Sequence, residues 1–340
     1  MSQIPPALPP RRSGQSQTSP IQSSTVSGSP NDDVFPYEKL SGDAFRLLKL
    51  PNRNGPRLYE LKNYELYATS TPRYLALSYT WGSQESYAKL NINWKEFKLP
   101  TKNLEIALEY LIDRYPGEYL WTDAICINQG EKGKEEKASQ IPRMKEIYTS
   151  TAKCVVWLGE CLRGSRLDRA LPQLPALLQR LQIYPLHLGF NEASFRQYGI
   201  PAPDSDLWEG LGDLLANEWF TRVWTFQESV LPETLEILCG THVISTDDIA
   251  QLARILSAMP ENGGLQFMAD TVWKRLATIK ACLIRINSVA TARRQRSALI
   301  PTQYTLLDLI TQGTTWGVHD PCEYYKISIL TSSLPSSSSD

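Results

Sequence analysis

The sequence predicts an α/β fold, in which helices flank a parallel sheet. Three short apolar runs, at residues 74–82, 120–129 and 147–159, each stop abruptly at polar or small residues, as strands do at the carboxyl edge of such a sheet. A fourth segment, at residues 219–228, is rich in aromatic residues, has helical spacing and carries a carboxylate. The alternation of strand and helix patterns favours a parallel sheet with helices on both faces.

The first half of the chain alternates strands and helices after an N-terminal hairpin. The hairpin joins residues 45–50 to residues 58–61, because the turn-forming run 51–55 separates these two strand-like segments. The predicted elements that follow are a strand at 74–80, a helix at 103–114, a strand at 119–123, a helix at 135–150 and a strand at 153–158. Pro142 is expected to start or kink the second of these helices.

The second half is predicted to be mostly helical. The expected elements are a broken helix at 167–183, a long loop or insertion at 184–206, one or two helices at 206–231, a strand at 233–239 and a clear helix at 271–290.

The predicted domain organisation is one folded unit between two tails. Residues 1–33 and 331–340 are rich in Ser and Pro and poor in large apolar residues, so we expect them to be disordered. Between them we expect a domain core at 45–240 and a helical C-terminal extension of the same domain at 241–330.

The composition excludes several classes of protein. A net charge of −1 argues against a general binder of nucleic acid or of anionic membranes. No apolar run approaches the roughly 18 residues of a membrane span, and the N-terminus lacks the pattern of a secretory signal. The six cysteines include no Cys-x-x-Cys pair and are expected to be buried free thiols in a reducing, cytoplasmic setting.

The first two apolar runs end in candidate ligand-binding residues. Trp81 can stack on a flat ring or fill the core, while Gly82 permits a tight turn or the close approach of a ligand. Asp123 can bind ribose hydroxyls or cap the following turn, and Asn128 and Gln129 can contact a ligand or simply form that turn. His187, His242 and His319 occur in three unrelated contexts, and nothing in them indicates a metal site.

The fourth segment carries the candidate catalytic carboxylate. Trp224 and Glu228 are four residues apart, so on a helix they share one face and Glu228 projects beside an indole ring. A carboxylate in that setting can stabilise the positive charge of a glycosidic transition state, or it can form a structural salt bridge. Arg222 can bind phosphate or pair with Glu218. The seven basic residues within 271–296 suit an acidic partner, a phosphate-bearing ligand, a nucleic acid or a solvated helix end.

Taken in this order, the four segments resemble the fungal heterokaryon incompatibility (HET) domain. The similarity begins at residues 45–50 and passes through 99–104 before the second segment and 236–240 after the fourth. Residues 320–327 resemble a downstream Asp-Pro-Arg-Asp-Lys segment of the family, although Cys322 replaces its arginine and Glu323 its aspartate.

The resemblance implies a protein of fungal non-self recognition whose output is cell death. The family is distantly similar to Toll/interleukin-1 receptor domains, which implies a flavodoxin-like sheet, and some of those domains hydrolyse NAD. One hypothesis is therefore an interaction module that acts through self-association or through a protein partner such as an incompatibility sensor. The alternative is an NAD glycohydrolase with Glu228 as its carboxylate and a nucleotide as substrate. Neither hypothesis requires a bound cofactor.

Overall fold

Nine strands form one mixed sheet in the computed structural model, which describes residues 35–82, 88–188, 192–222, 224–258 and 276–297. The strands are β1 (Ala44–Lys49), β2 (Leu58–Glu65), β3 (Tyr74–Tyr79), β4 (Lys89–Ile92), β5 (Lys95–Lys98), β6 (Tyr119–Trp121), β7 (Lys153–Trp157), β8 (Leu235–Cys239) and β9 (His242–Ile244). They lie in the order β5-β4-β2-β1-β6-β3-β7-β8-β9.

The middle of the sheet is parallel and its margins are mostly antiparallel. Strands β6, β3, β7 and β8 run parallel to one another. The predicted hairpin is confirmed as β1 and β2, which pair antiparallel, and β1 also pairs antiparallel with β6. The α/β class is therefore confirmed, while the antiparallel pairs β4–β5 and β8–β9 add edges that the sequence pattern did not predict.

Helices connect the parallel strands and flank the sheet. Those described are α1 (Lys102–Arg114), α2 (Asp123–Cys126), α3 (Lys134–Ser150), α4 (Arg166–Ala170), α5 (Leu174–Ile183), α6 (Glu192–Gln197), α7 (Asp206–Leu215), α8 (Trp224–Val230), α9 (Thr246–Ala258) and α10 (Leu276–Ser297). None of these helices combines the length and the apolar composition needed to cross a bilayer.

Helix α1 shows why the sequence pattern located it well. The Thr101 side chain accepts a hydrogen bond from the Leu104 amide and so caps its N-terminus. Its predicted apolar face is buried, and the members of that face are Leu104, Ala107, Leu108 and Leu111. A strong cap followed by one apolar stripe leaves little ambiguity about where a helix begins.

The predicted bounds of one helix are confirmed, and two other predicted boundaries are wrong. Helix α3 runs from Lys134 to Ser150, within one residue of its predicted bounds, and it continues through Pro142, so the proline does not start it. The strand expected to end at Asp123 ends at Trp121, and Asp123 is the first residue of α2. The segment expected to be a loop at 184–206 contains a 3₁₀ turn at Leu186–Leu188 and helix α6.

The helical predictions for the C-terminal part are confirmed in outline. Residues 206–231 form α7, a 3₁₀ turn at Glu218–Thr221 and α8. Helix α10 covers most of the predicted helix at 271–290 and extends to Ser297, whereas α9 was not predicted as a separate element. The predicted tails, the start of that helix and residues 320–327 lie outside the described residues, and the flavodoxin-like assignment stays a prediction.

Candidate functional site at the carboxyl edge of the sheet

The parallel strands define where a site is expected. Counted along the chain, β3, β6, β7 and β8 are the first to fourth parallel strands, and they lie in the order second, first, third, fourth. The direction of winding therefore reverses between β3 and β7. In open α/β sheets, ligands bind outside the carboxyl ends of the strands at such a reversal.

Ser78 lies near the carboxyl end of β3, beside this reversal, where it pairs with Val156 of β7. Side chains alternate along a strand, so Ser78 shares a face with Tyr74, whose hydroxyl donates to the Ile147 carbonyl of α3 at 2.7 Å. Ser78 is only 1% exposed. A hydroxyl buried this deeply needs hydrogen-bond partners.

Its partners come from the fourth segment. The Ser78 hydroxyl donates to Oε2 of Glu228 at 2.5 Å, and Nε1 of Trp219 donates to the Ser78 oxygen at 2.7 Å. All three side chains are buried. The result is a directed chain from an indole through a hydroxyl to a carboxylate, and it fastens the fourth segment to the end of β3.

The carboxylates of Glu228 and Asp123 both affect the pKa of Tyr148, a buried tyrosine beside this chain of hydrogen bonds. The Tyr148 hydroxyl donates to the Leu77 carbonyl at 3.1 Å. Burial raises the pKa of Tyr148 well above its usual value, and the charges of Glu228 and Asp123 raise it further. Burial also raises the pKa of Tyr79, again with a contribution from Asp123. The charges of Glu228 and Asp123 therefore both act on Tyr148.

The backbone explains why Asp123 reaches this region. Ala76 of β3 pairs in parallel register with Trp121 of β6. Ser78 lies two residues beyond Ala76, and Asp123 lies two residues beyond Trp121. Asp123 is 9% exposed, and its carbonyl accepts hydrogen bonds from the Ile127 amide and from Nε2 of Gln129.

The Arg222 side chain also contacts the carboxyl edge of the sheet, by binding a backbone carbonyl group. Its Nη1 donates to the Tyr79 carbonyl at the end of β3, at 2.6 Å. Its own carbonyl accepts from Oγ1 of Thr225 at 2.7 Å and from the guanidinium of Arg285. Residues 219–228 are thus not one helix, as their spacing suggested: a 3₁₀ turn ends at Thr221 and α8 begins at Trp224. The expected four-residue spacing of Trp224 and Glu228 does fall within α8, where both are buried.

Trp81 and Gly82 continue β3 past this edge. Trp81 is half-buried and packs against the core, while Gly82 is exposed and adopts a φ of +65°, a conformation that favours glycine. The Asn103 side chain ties this segment to β7, because its Nδ2 donates to the Thr80 carbonyl and its Oδ1 accepts from Nε1 of Trp157.

Comparison with known protein families gives a match for the segment that contains this site. Residues 74–228 match the family described as heterokaryon incompatibility protein (HET), and the match runs from the first residue of β3 to Glu228. Residues 74–228 are therefore similar to the HET domain. The matched segment contains Asp123 and the three side chains that are hydrogen-bonded at the carboxyl edge, which are Ser78, Trp219 and Glu228.

A named relative supports the same assignment. The chain is 26% identical over 229 residues to "Heterokaryon incompatibility protein 6, OR allele" from Neurospora crassa, an alignment that covers 59% of this chain. The alignment covers 33% of the relative, so the chain spans about a third of the relative's length. No solved structure matches the chain.

In the matched segment, Asn128 and Gln129 form the turn that follows α2. Oδ1 of Asn128 accepts from the Gly130 amide, and the Asn128 amide donates to Oε1 of Glu136. Glu136 also receives both terminal nitrogens of the buried Arg46, at 2.6 and 2.8 Å. These contacts favour the turn-forming alternative for both residues, although they leave a ligand contact untested.

A separate cavity of about 700 Å³ lies behind the fourth segment. It is bounded by α8, β8, α9 and α10, and Trp219 contributes to its wall. Three basic residues of α10 line it as well: Arg285, Arg293 and Arg294. Two of them bind carbonyl groups: Arg285 binds those of Thr221 and Arg222, and Arg293 binds those of Ser229, Pro232 and Glu233. The guanidinium groups of Arg285 and Arg293 therefore bind backbone groups of the fold rather than only water.

Three members of this site were not predicted from the sequence: Ser78, Tyr148 and Trp219. Ser78 did give a signal, because it is the one non-aromatic polar residue in the apolar run of β3. Trp219 was assigned to the core face of a helix that does not form. Nothing in the sequence marks Tyr148, whose role depends on how α3 crosses the sheet.

The described cysteines mostly behave as predicted. Cys126, Cys154, Cys239 and Cys282 are buried and none is in a disulfide. Burial raises the pKa of the Cys126 thiol to about 12, which makes it a poor nucleophile. Cys161 departs from the prediction, because it is only partly buried.

Proposed function

We propose that this chain acts in fungal heterokaryon incompatibility, as an effector that converts non-self recognition into cell death. The HET domain match and the similarity to a Neurospora crassa incompatibility protein support the general role. We propose further that the output requires self-association or binding of a protein partner, such as an incompatibility sensor.

The observation that supports this proposal is the buried, hydrogen-bonded contact between the first and fourth segments, which we call the Ser78–Glu228 joint. The Glu228 carboxylate is 8% exposed and is held by Ser78, which is in turn held by Trp219. A carboxylate that spans two segments of the fold in this way fixes their relative position. In this reading the joint maintains the surface that a partner recognises, and the chemistry of Glu228 is not itself used.

Substitution of Glu228 tests this reading. Glu228→Gln keeps the size of the side chain and keeps an oxygen that accepts from Ser78, but it removes the negative charge. We expect a fungal strain that expresses this variant to die as the wild-type strain does, measured as the fraction of hyphal compartments stained by a vital dye. Glu218→Gln is the matched control, because Glu218 is an exposed residue of the 3₁₀ turn. Loss of killing by Glu228→Gln alone, with the protein still folded, would contradict the interaction hypothesis.

A second candidate function, hydrolysis of NAD, is supported by the charges of Glu228 and Asp123, which both act on the buried Tyr148 beside the winding reversal. In that reaction the bond between the ribose carbon and the nicotinamide nitrogen breaks, water adds to the ribose carbon, and nicotinamide and ADP-ribose are released. Glu228 would stabilise the oxocarbenium-like transition state, and Asp123 would bind ribose hydroxyls. Trp81 and Trp224 would stack on the rings, with Gly82 allowing close approach and Arg222 contacting phosphate.

The enzymatic reading has its own test. Purified protein at high concentration is incubated with NAD, and free nicotinamide is measured by chromatography. The hypothesis requires release that Glu228→Gln abolishes and Glu218→Gln retains. Absence of release from a protein that kills in cells, or equal release from the Glu228→Gln variant, would refute it.

A further inference from the structure

Three metal-ligating side chains meet at the carboxyl ends of β7 and β8. The ligand atoms of Cys161, Asp168 and His242 all lie within 4.8 Å of one another, and each side chain is partly exposed. Cys161 and Asp168 come from the segment after β7, and His242 begins β9. This group is separate from the Ser78–Glu228 joint.

The fold brings these distant residues together through a close backbone contact. Cys239 and His242 are paired across the tight β8–β9 turn. Gly240, in that turn, has a φ of +54°, and its amide donates to the Gly159 carbonyl at 2.9 Å. A Cβ at position 240 would lie 2.9 Å from the Cys161 backbone nitrogen, so only glycine lets the two segments approach this closely.

The Asp168 carboxylate is already oriented toward His242. Its Oδ2 accepts from the Gly164 amide at 2.7 Å, and the Ser165 side chain caps the helix turn that carries it. Its Oδ1 lies 2.7 Å from Nε2 of His242. The Cys161 thiol completes the group from the same segment after β7.

The chemistry of this donor set indicates a borderline-soft cation. A thiolate, an imidazole nitrogen and a carboxylate oxygen are the three donor types that Zn²⁺ takes in proteins, whereas Ca²⁺ and Mg²⁺ select oxygen alone. The ligand atoms need to move by only an ångström or so to reach the spacing of a tetrahedral site. Because about a quarter of each of the Asp168 and His242 side chains is exposed, water can occupy a fourth position.

We propose that Cys161, Asp168 and His242 bind one zinc-class divalent cation. The bound ion clamps the segment that follows β7 onto the β8–β9 hairpin. Such a clamp would stabilise the carboxyl edge of the sheet independently of whether the Ser78–Glu228 joint serves binding or catalysis.

The test uses the reduced, chelator-treated full chain. Zn²⁺ binding is titrated against a chromophoric chelator, and Co²⁺ is used in parallel because thiolate ligation gives it a characteristic charge-transfer absorption. We expect one ion per chain, and a rise in melting temperature of about 5 °C when the free metal is about 100-fold above its Kd. Cys161→Ser, Asp168→Asn and His242→Gln should each weaken binding at least 10-fold, and Cys161→Ser should abolish the charge-transfer band.

Matched controls separate ligation from loss of fold. His187→Gln and Asp204→Asn change the same residue types at exposed positions and should bind as the wild type does. Each ligand variant should also unfold in one cooperative transition when chelator is present. Binding that survives in the His242→Gln variant, or absence of a cobalt–thiolate band in the wild type, would overturn the proposal.

Discussion

Substitution of Ser78 by alanine is expected to destabilise the fold far more than its single missing oxygen suggests. The hydroxyl makes two hydrogen bonds, one to a buried carboxylate and one from a buried indole. A hydrogen bond to a charged group contributes about 1.5–3 kcal/mol, and a buried neutral donor left without its acceptor costs about 1–3 kcal/mol. Because alanine fills nearly the same space, no cavity term is added, and the expected loss is about 3–4 kcal/mol.

Urea unfolding followed by tryptophan fluorescence and far-ultraviolet circular dichroism measures this loss. The matched control is Ser139→Ala, since Ser139 is exposed and bonds only to the Glu136 carbonyl among the hydrogen bonds described. We expect that control to change the free energy of unfolding by less than about 0.5 kcal/mol. The slope of the transition should be unchanged in both variants, so that the shift in midpoint reports stability.

A double-mutant cycle decides whether the loss comes from this joint. Trp219→Phe removes the indole donor and should cost less in the Ser78→Ala background than in the wild type, by about 1 kcal/mol. Two results would refute the reasoning: a cost below about 0.5 kcal/mol for Ser78→Ala, or strictly additive effects of the two substitutions. Either would mean that the hydrogen-bonded chain does not hold the fourth segment on β3.

Three further predictions follow from other parts of the structure. Burial by itself raises the pKa of Glu236, but hydrogen bonds from Lys153, Tyr115 and Arg114 lower it from 4.5 to about 2. The ionised Glu236 therefore stabilises the fold fully above pH 4.5, and this stabilisation is lost as the pH falls toward 2. In urea titrations, Glu236→Gln should reduce the loss of unfolding free energy over this pH range by about 1–2 kcal/mol, after allowance for solvent screening. Gly240→Ala should lower the free energy of unfolding by about 2–4 kcal/mol. Gly42→Ala should lower it by only about 1 kcal/mol, because Gly42 has nearly the same φ but open space around it. A comparable loss in both variants would contradict the close contact. Arg293→Ala should lower stability by about 2 kcal/mol, because three carbonyl groups lose their donor, and an unchanged unfolding midpoint would refute this.

The elements that were predictable are those with a local cause. Helix α1 carries its own cap and apolar stripe, and the β1–β2 hairpin carries its own turn. The strand β3 was predictable because a continuous apolar run that ends at polar residues is typical of a strand buried on both faces. In each case the residues that define the element lie within the element.

The errors have tertiary causes. The short helix α2 begins at Asp123 because the chain must turn at the carboxyl edge, and four residues give no periodic signal. Helix α3 passes Pro142 because packing of Ile141 and Met144 against the core outweighs the lost hydrogen bond. The candidate carboxylate Glu228 was found from the sequence, but its partner Ser78 was not, since the contact joins residues 150 positions apart.

The position of Glu228 depends on more than the residues that match the HET family. The Arg285 guanidinium binds the last carbonyl groups of the 3₁₀ turn before α8, and that of Arg293 binds carbonyl groups at and beyond the end of α8. Without these two arginines, the carbonyl groups at both sites would need water or another donor. Helix α10 thus holds the short helix that carries Glu228 from both ends. Because a helix of seven residues has little stability of its own, we infer that helix α10 belongs to the same folded unit as the candidate site.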